Sequence, residues 1–335
     1  MSRRLAVAVL VLSALAVAPA AAGDGPMPYA SQGGFGVLAP LGRDGPTRYV
    51  ALGTASRTRT MLALVQTKDS MVRGYTTLRG DWGVPVVTYG QDGTGLSADG
   101  RTLVLEDVVT GYPHTRSSFL VLDTKTLRVL RTIELKGDFA FDALSPRARR
   151  LYLIQHVDVS DSAKYVVRSY DLARGRLLPG RIADRTQKGW VMKGYPMSRA
   201  TSAGGRWVYT LYQSSGGFPF VHALDTVRGV AHCIGLPWRG NQNGFYNMRL
   251  TLRNGDRTLA AHWLSGRPWL SIDTASWRIS RDHRAGFPWA MAAALGSAAG
   301  AFGVLAVLLV RRRRREEFEQ ELVDLLRAPE REVVA

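Results

Sequence analysis

Five times between residues 44 and 274 the chain repeats the same pair of signals, and a repeat of this length constrains the architecture more than any single residue does. The later signal is a β-rich run ending in a turn. Residues 61–65 precede Gln66-Thr67, 119–122 precede Asp123-Thr124, 165–170 precede Asp171-Leu172, 220–224 precede Asp225-Thr226, and 269–272 precede Asp273-Thr274, at steps of 57, 48, 54 and 48 residues. The earlier signal is a tight turn followed by an apolar strand. Asp44-Gly45 precedes Arg48-Tyr49-Val50, Asp99-Gly100 precedes Leu103-Val104, Ser145-Pro146 precedes Leu151-Tyr152-Leu153, Gly204-Gly205 precedes Val208-Tyr209, and Asn254-Gly255 precedes Thr258-Leu259. Asp-Gly, Gly-Gly and Asn-Gly supply the positive φ of a hairpin turn, and an Asp or Thr side chain bonds its own downstream backbone. Each unit therefore reads as four antiparallel strands. In the second, the inner strand is expected at 84–89 and the outermost at 127–135.

These signals resemble β-propellers, in particular the repeat family whose blades carry a Tyr-Val or Leu-Tyr-Val strand after a Gly turn and an Ile-Asp-Thr turn later (YVTN-like and TolB-like propellers). The resemblance spans roughly residues 33–283, and it implies an all-β ring of four-stranded blades around a central channel. Blades number five by direct count, or six if residues 24–40 pair elsewhere. Gln66 in place of Asp, Leu172 in place of Thr and the unequal steps depart from the pattern. A β-sandwich of irregular hairpins is the competing architecture. Propellers host binding, scaffolding and catalysis alike, so the resemblance speaks to fold and not to function.

The two ends of the chain set its expected location. Residues 1–22 have the zones of an export signal: Arg3 and Arg4, an apolar run over 5–17, and small residues up to Ala22. An uncleaved first span is the alternative. Residues 288–310 carry no charge, long enough for a helix to cross a ~30 Å hydrocarbon core, and five arginines follow at 311–315. Arginines favour the cytoplasmic leaflet and Trp289 suits the opposite interface. The expectation is a cell-membrane protein with one C-terminal transmembrane helix over 287–310, residues 24–286 outside the cytoplasm, and a cytoplasmic tail over 311–335. Gly296 and Gly300 form a small-xxx-small pair through which two such helices approach closely, giving a homodimer. In the tail, Phe318, Leu322, Leu325 and Leu326 line one face of a short amphipathic helix ended by Pro329.

Composition bounds the exported part. One cysteine among 335 residues, Cys233, leaves stability to burial and strand pairing, and its apolar flank predicts a buried, inert thiol. Residues 5–310 hold 35 Lys and Arg against 20 Asp and Glu. Such a surface favours anionic neighbours, lipid headgroups or phosphate-bearing envelope polymers, through a salt-screened field. No nucleic-acid recognition motif is present.

In a propeller, the loops from second to third strand and those between blades open on one face. That face gathers Trp82, His114, His156, Trp190, Tyr246, His262 and Trp263, rings and polar groups suited to capturing a ligand or protein partner. Asp158 and Asp161 supply two carboxylates, short of a calcium site. No nucleophile elbow, zinc-helix motif or phosphate-cradling loop occurs, so no catalytic residue, metal or cofactor is assigned. The expected function is an extracytoplasmic recognition or scaffold module anchored in the bilayer. The alternatives are a propeller hydrolase or lyase using Glu106, Asp107, His114, His156 and His262, and a structural subunit of a membrane assembly.

Overall fold

The computed structural model describes residues 36–38, 46–89, 93–108, 113–184, 186, 191–214, 217–238 and 242–281. The export signal, Trp190, the apolar run with Gly296 and Gly300, and the tail lie outside the described residues. No helix among the described residues is long and apolar enough to cross a membrane.

Twenty strands follow in chain order as five units of four, each unit antiparallel throughout. Unit one is β1 (Gly36–Leu38), β2 (Thr47–Gly53), β3 (Arg59–Gln66) and β4 (Val72–Arg79). Unit two is β5 (Trp82–Gly83), β6 (Thr102–Asp107), β7 (Arg116–Asp123) and β8 (Val129–Lys136). Unit three is β9 (Phe139–Leu144), β10 (Arg150–His156), β11 (Lys164–Asp171) and β12 (Arg176–Leu177), and unit four is β13 (Met192–Thr201), β14 (Trp207–Ser214), β15 (Phe220–Asp225) and β16 (Val230–Gly235). Unit five is β17 (Met248–Arg253), β18 (Thr258–Trp263), β19 (Pro268–Asp273) and β20 (Ile279–Arg281). Units three and four join into one sheet where Lys164 and Tyr165 of β11 pair with Lys193 and Met192 of β13. These are β-propeller-type blades, each built wholly from its own consecutive strands. Gly36–Leu38 pairs with Arg48–Val50 as the inner strand of unit one.

Two details differ from the sequence expectation. The inner strand of unit two is confined to Trp82–Gly83, after which the chain departs at Pro85 and returns at Leu96, which bridges to Leu103. Pro85 has no N–H for a ladder, so an apolar, β-branched run is not enough there. The outermost strand begins at Val129, two residues late, because Leu127 takes a positive φ of 53° inside the turn.

Alternation along each strand assigns its side chains to two different seams. Leu103 and Leu105 face unit one and pack with Tyr49, Leu62 and Trp82, whereas Val104 faces unit three and shares a core with Phe119, Tyr152 and Leu172. Both faces are covered, hence the nearly unbroken apolar runs in the second strands.

The repeat signals are partners of one another. In every unit the third-to-fourth turn bonds back to the first-to-second turn, from Thr67 N to Pro46 O, Thr124 N to Arg101 O, Leu172 N to Arg149 O, Thr226 N to Arg206 O and Thr274 N to Arg257 O, at 2.8–3.1 Å. The Thr hydroxyls of Thr124, Thr226 and Thr274 also donate to Gly100 O, Gly205 O and Asp256 O. The preceding Asp carboxylate accepts the N–H groups that close the turn, for example Thr126 N to Asp123 at 2.7 Å and Ser276 N to Asp273 at 2.7 Å.

The signature tyrosine crosses the seam. Tyr152 Oη of unit three donates to Thr226 O of unit four at 2.7 Å. Tyr49 of unit one and Tyr209 of unit four face the following units in the same way, where the Thr124 and Thr274 side chains partly offset the rise that burial gives their phenols. Burial pushes the Tyr209 phenol up to about 12, so it remains a donor at any physiological pH. Unit three carries Leu172 in place of Thr, and the register partner position in unit two is Val104 in place of Tyr, so an apolar pair replaces a polar one within the same core.

Candidate functional site

Second-to-third loops and connections between units meet at several seams. The most connected group lies at the seam of units two and three, where Asp138 joins both neighbours. The Asp138 carboxylate accepts the His114 N–H at 2.9 Å and bonds His156 Nδ1 at 2.9 Å, with His114 Nδ1 at 3.8 Å. Burial pushes the Asp138 carboxyl up, but these hydrogen bonds outweigh it and hold the group below the usual 3.8. Close by, Glu106 is buried and accepts the Phe141 N–H of unit three at 3.3 Å, and Asp107 accepts the Ser118 N–H at 3.1 Å. Burial above all, with the Asp107 and Asp138 charges, lifts the Glu106 carboxyl well above 4.5, against the Phe141 N–H. The side chains of His114 and His156 are 15% and 5% exposed. Such a group clamps two units together, and its histidines present little surface to a ligand.

Glu106 carries a pH prediction. The folded chain holds a proton that the unfolded chain gives up above about 4.5, so stability falls as pH rises from there toward the raised native value. Glu106→Gln keeps an acceptor for Phe141 N–H without titrating. In urea unfolding of the full chain, its midpoint should change less than the wild type's between about pH 5 and pH 8, with the variant the more stable at the upper end. An unchanged slope in the variant would exclude a protonated Glu106.

Elsewhere on the loop face the expected rim residues divide. Trp82 is 9% exposed and sits in the seam of units one and two, its N–H accepted from by Thr60 Oγ1 at 2.8 Å and its Nε1 donating to Arg79 O at 2.7 Å. His262 and Trp263 are half-buried, with His262 Nδ1 3.0 Å from Trp263 O. Tyr246 is 55% exposed. Around Trp263, the rings of Trp238, Phe245 and Trp269 pack edge-on, with Trp238 4.6 Å from Phe245 and 5.2 Å from Trp269. The Arg267 guanidinium lies 5.8 Å over the Trp263 ring. A groove of about 440 Å³ runs past Asn247, Trp263, Leu264 and Arg267.

On the axis, Arg199 of β13 is the hub. Its Nη1 and Nη2 donate to the Asp142 backbone O and carboxylate of β9, and its Nε donates to Thr210 Oγ1 at 3.0 Å. Cross-strand register continues the row from Thr210 to His222 and Cys233. Burial lowers His222 to about 4 and raises the Cys233 thiol to about 12, so both are neutral at physiological pH, although Cys233 is half-buried and not fully buried as the sequence suggested. Beside Arg199 lies a cavity of about 470 Å³ lined by 93–98 of unit two, 141–144 of unit three and 199–205 of unit four. Its wall is short side chains because the turns converge here. A Cβ on Gly205, at φ 69°, would stand 2.5 Å from Ala98 Cβ.

The face at the opposite end from the loops was not foreseen. An exposed arginine immediately precedes the second strand of units two to five (Arg101, Arg149, Arg206, Arg257), Arg48 stands one residue inside β2 of unit one, and each third-to-fourth turn adds another exposed cation (Lys68, Arg128, Arg174, Arg228, Arg278). The acids on this face are largely committed to their turns. Asp123 and Asp273 are held below the usual range by the Thr126 and Ser276 hydrogen bonds, and Asp225 also pairs with Arg206 at 2.8 Å. The signal for this was present in the sequence as the Arg that follows each Gly or Pro turn. No set of three or more His, Cys, Asp or Glu among the described residues is arranged to hold a metal.

No protein-family model matches the chain, and no curated protein resembles it. Among solved structures it is similar to Kuenenia stuttgartiensis hydrazine synthase, at 16% identity over 75% of this chain and 78% of that one, TM-score 0.40. It is similar to TolB from Acinetobacter baumannii at 13% identity over 70% and 52% of the two chains, TM-score 0.37, so it spans about half the length of that relative. It is also similar to the β-propeller domain of Myceliophteria thermophila Cps50 (Swd1), at 12% identity over 76% and 72%, TM-score 0.43. Superpositions this loose carry no functional argument, and the propeller-type organisation rests on the chain's own strand order.

Proposed function

We propose that the chain is a recognition module of the cell envelope, a propeller-type array of five units held outside the cytoplasmic membrane by the span at 287–310, and that its basic turn face takes up an anionic partner. The observation that carries this is that the turn end of every unit exposes two cations on one face, Arg48 and Lys68, Arg101 and Arg128, Arg149 and Arg174, Arg206 and Arg228, and Arg257 and Arg278, though not at identical positions. A ring of like charges focuses field and draws a polyanion to the axis, where the 470 Å³ cavity lies. This moves the recognition surface away from the loop face expected from sequence, whose histidines bond to Asp138 and whose Trp82 is buried.

The test is binding of the full chain, in detergent, to a soluble polyglycerol phosphate. Affinity should fall steeply with added salt, and Arg149→Glu with Arg206→Glu should weaken it at least about tenfold. Equal binding by the double variant, or binding indifferent to salt, overturns the reading.

A further inference from the structure

The last strand tells where the chain leaves the fold. β20 runs outward from the turn at Asp273 and ends at Arg281 on the loop face. Only five residues, 282–286, then separate it from the apolar run at 287, a tether of about 17 Å at full extension. Whatever surface surrounds Arg281 is therefore held close to the layer that the run enters.

That surface is unlike the rest of the loop face. Phe218 is 71% exposed, Leu264 58% and Tyr246 55%, each on a loop of unit four or five. Phe218 and Arg281 line one cavity of about 600 Å³, so the exposed ring adjoins the exit point. Gln242 ties the loops together, accepting from Ser214 N at 3.0 Å and donating to Gly217 O at 2.6 Å, while Leu264 N donates to Asn247 O at 2.7 Å. The cations here are Arg249, Arg267 and Arg281. Between Asp184 and residue 286 the acids are Asp225, Asp256 and Asp273, all on the opposite, turn face, and Asp282 in the tether, flanked by Arg281 and Arg284. The loop acids Asp81, Glu106, Asp107, Asp138, Asp158 and Asp161 belong to the seams and loops of units one to three.

We infer that the loop face of units four and five lies on the lipid surface beside the chain's own anchor, with Phe218, Tyr246 and Leu264 at interfacial depth and Arg267 and Arg281 on anionic headgroups. Exposed aromatic and apolar side chains flanked by arginines, with Asp282 the one acid beside them and itself between Arg281 and Arg284, are a composition that a headgroup layer favours. The inference rests on the reading of 287–310 as a span. It leaves the basic turn face pointing away from the membrane.

The full chain, with Cys233→Ser, carries a single environment-sensitive probe at Phe218→Cys, Leu264→Cys or Gly255→Cys. It is reconstituted in vesicles of phosphatidylcholine and phosphatidylglycerol containing lipids with a quencher at headgroup depth. Quenching at 218 and 264 should exceed that at Gly255, on the turn face, by at least about twofold, and should weaken when phosphatidylglycerol is omitted. A chain that stays with the vesicles in alkaline carbonate but shows equal quenching at all three positions overturns the docking and leaves the anchor standing. A chain released by carbonate overturns the anchor and the docking with it. Native-like circular dichroism of each labelled variant keeps a misfolded protein from counting as either result.

Discussion

Arg199→Met lowers the stability of the full chain by about 3–5 kcal/mol, the cost of leaving one member of a buried ion pair without its partner. The Arg199 and Asp142 side chains are 8% and 4% exposed, and the guanidinium also satisfies the Asp142 carbonyl and the Thr210 hydroxyl. Methionine fills a similar volume, so the loss comes from the stranded carboxylate and not from a void. Removing that charge as well, in Arg199→Met with Asp142→Leu, should restore most of the loss, since apolar replacements of buried pairs are often neutral. Urea unfolding followed by tryptophan fluorescence measures both. A single variant as stable as the wild type would mean that water reaches Asp142 through the axial cavity.

Phe245→Ala should cost about as much, roughly 3–5 kcal/mol, by a different route. Phe245 is fully buried in the one short helical turn of the described residues, Phe245–Asn247, and packs edge-on against Trp238 and Trp269 at 4.6 and 5.7 Å. Its loss opens a cavity that neighbouring strands cannot close, because Met248 and Leu250 are fixed by the β17–β18 ladder. The damage is local to the entry of unit five. Limited proteolysis should therefore cut near residues 242–248 in the variant before the global transition, and cutting at the wild-type rate would refute the anchor role of the ring.

The units were legible because turn chemistry is local. Asp-Thr, Asp-Gly and Asn-Gly act on their own backbone, and all five predicted third-to-fourth turns are where the signals stand. What lay between units was not legible. Gly80-Asp81-Trp82 and Gly137-Asp138-Phe139 are equivalent joints, in which Thr60 and Ser117 of the preceding unit hold the chain by paired hydrogen bonds. Only two units share that motif, too few to stand out in one sequence. The same limit explains Trp82, His114 and His156. Strand ends placed them on the right face, yet burial depends on the adjoining unit, which no local pattern reports. The arginine of each second strand was read as composition, because its meaning appears only when the five turns share a side.

The tyrosine position links units one, three and four to the unit that follows each, the apolar Val104 and Leu172 take its place between units two and three, and unit five has Ala260 there. The array is thus coupled as a line of neighbours, whatever its shape, and lines of neighbours fray from their ends. Among the described residues, unit one shares its buried core with unit two. Units three and four share a continuous sheet and have partners on both flanks. Amide exchange through partial opening accordingly has an order along the sequence, fastest in the first unit and slowest around β10 and β14. A pull delivered through Arg281, the last residue of β20, would be taken up by unit five before it reached that centre.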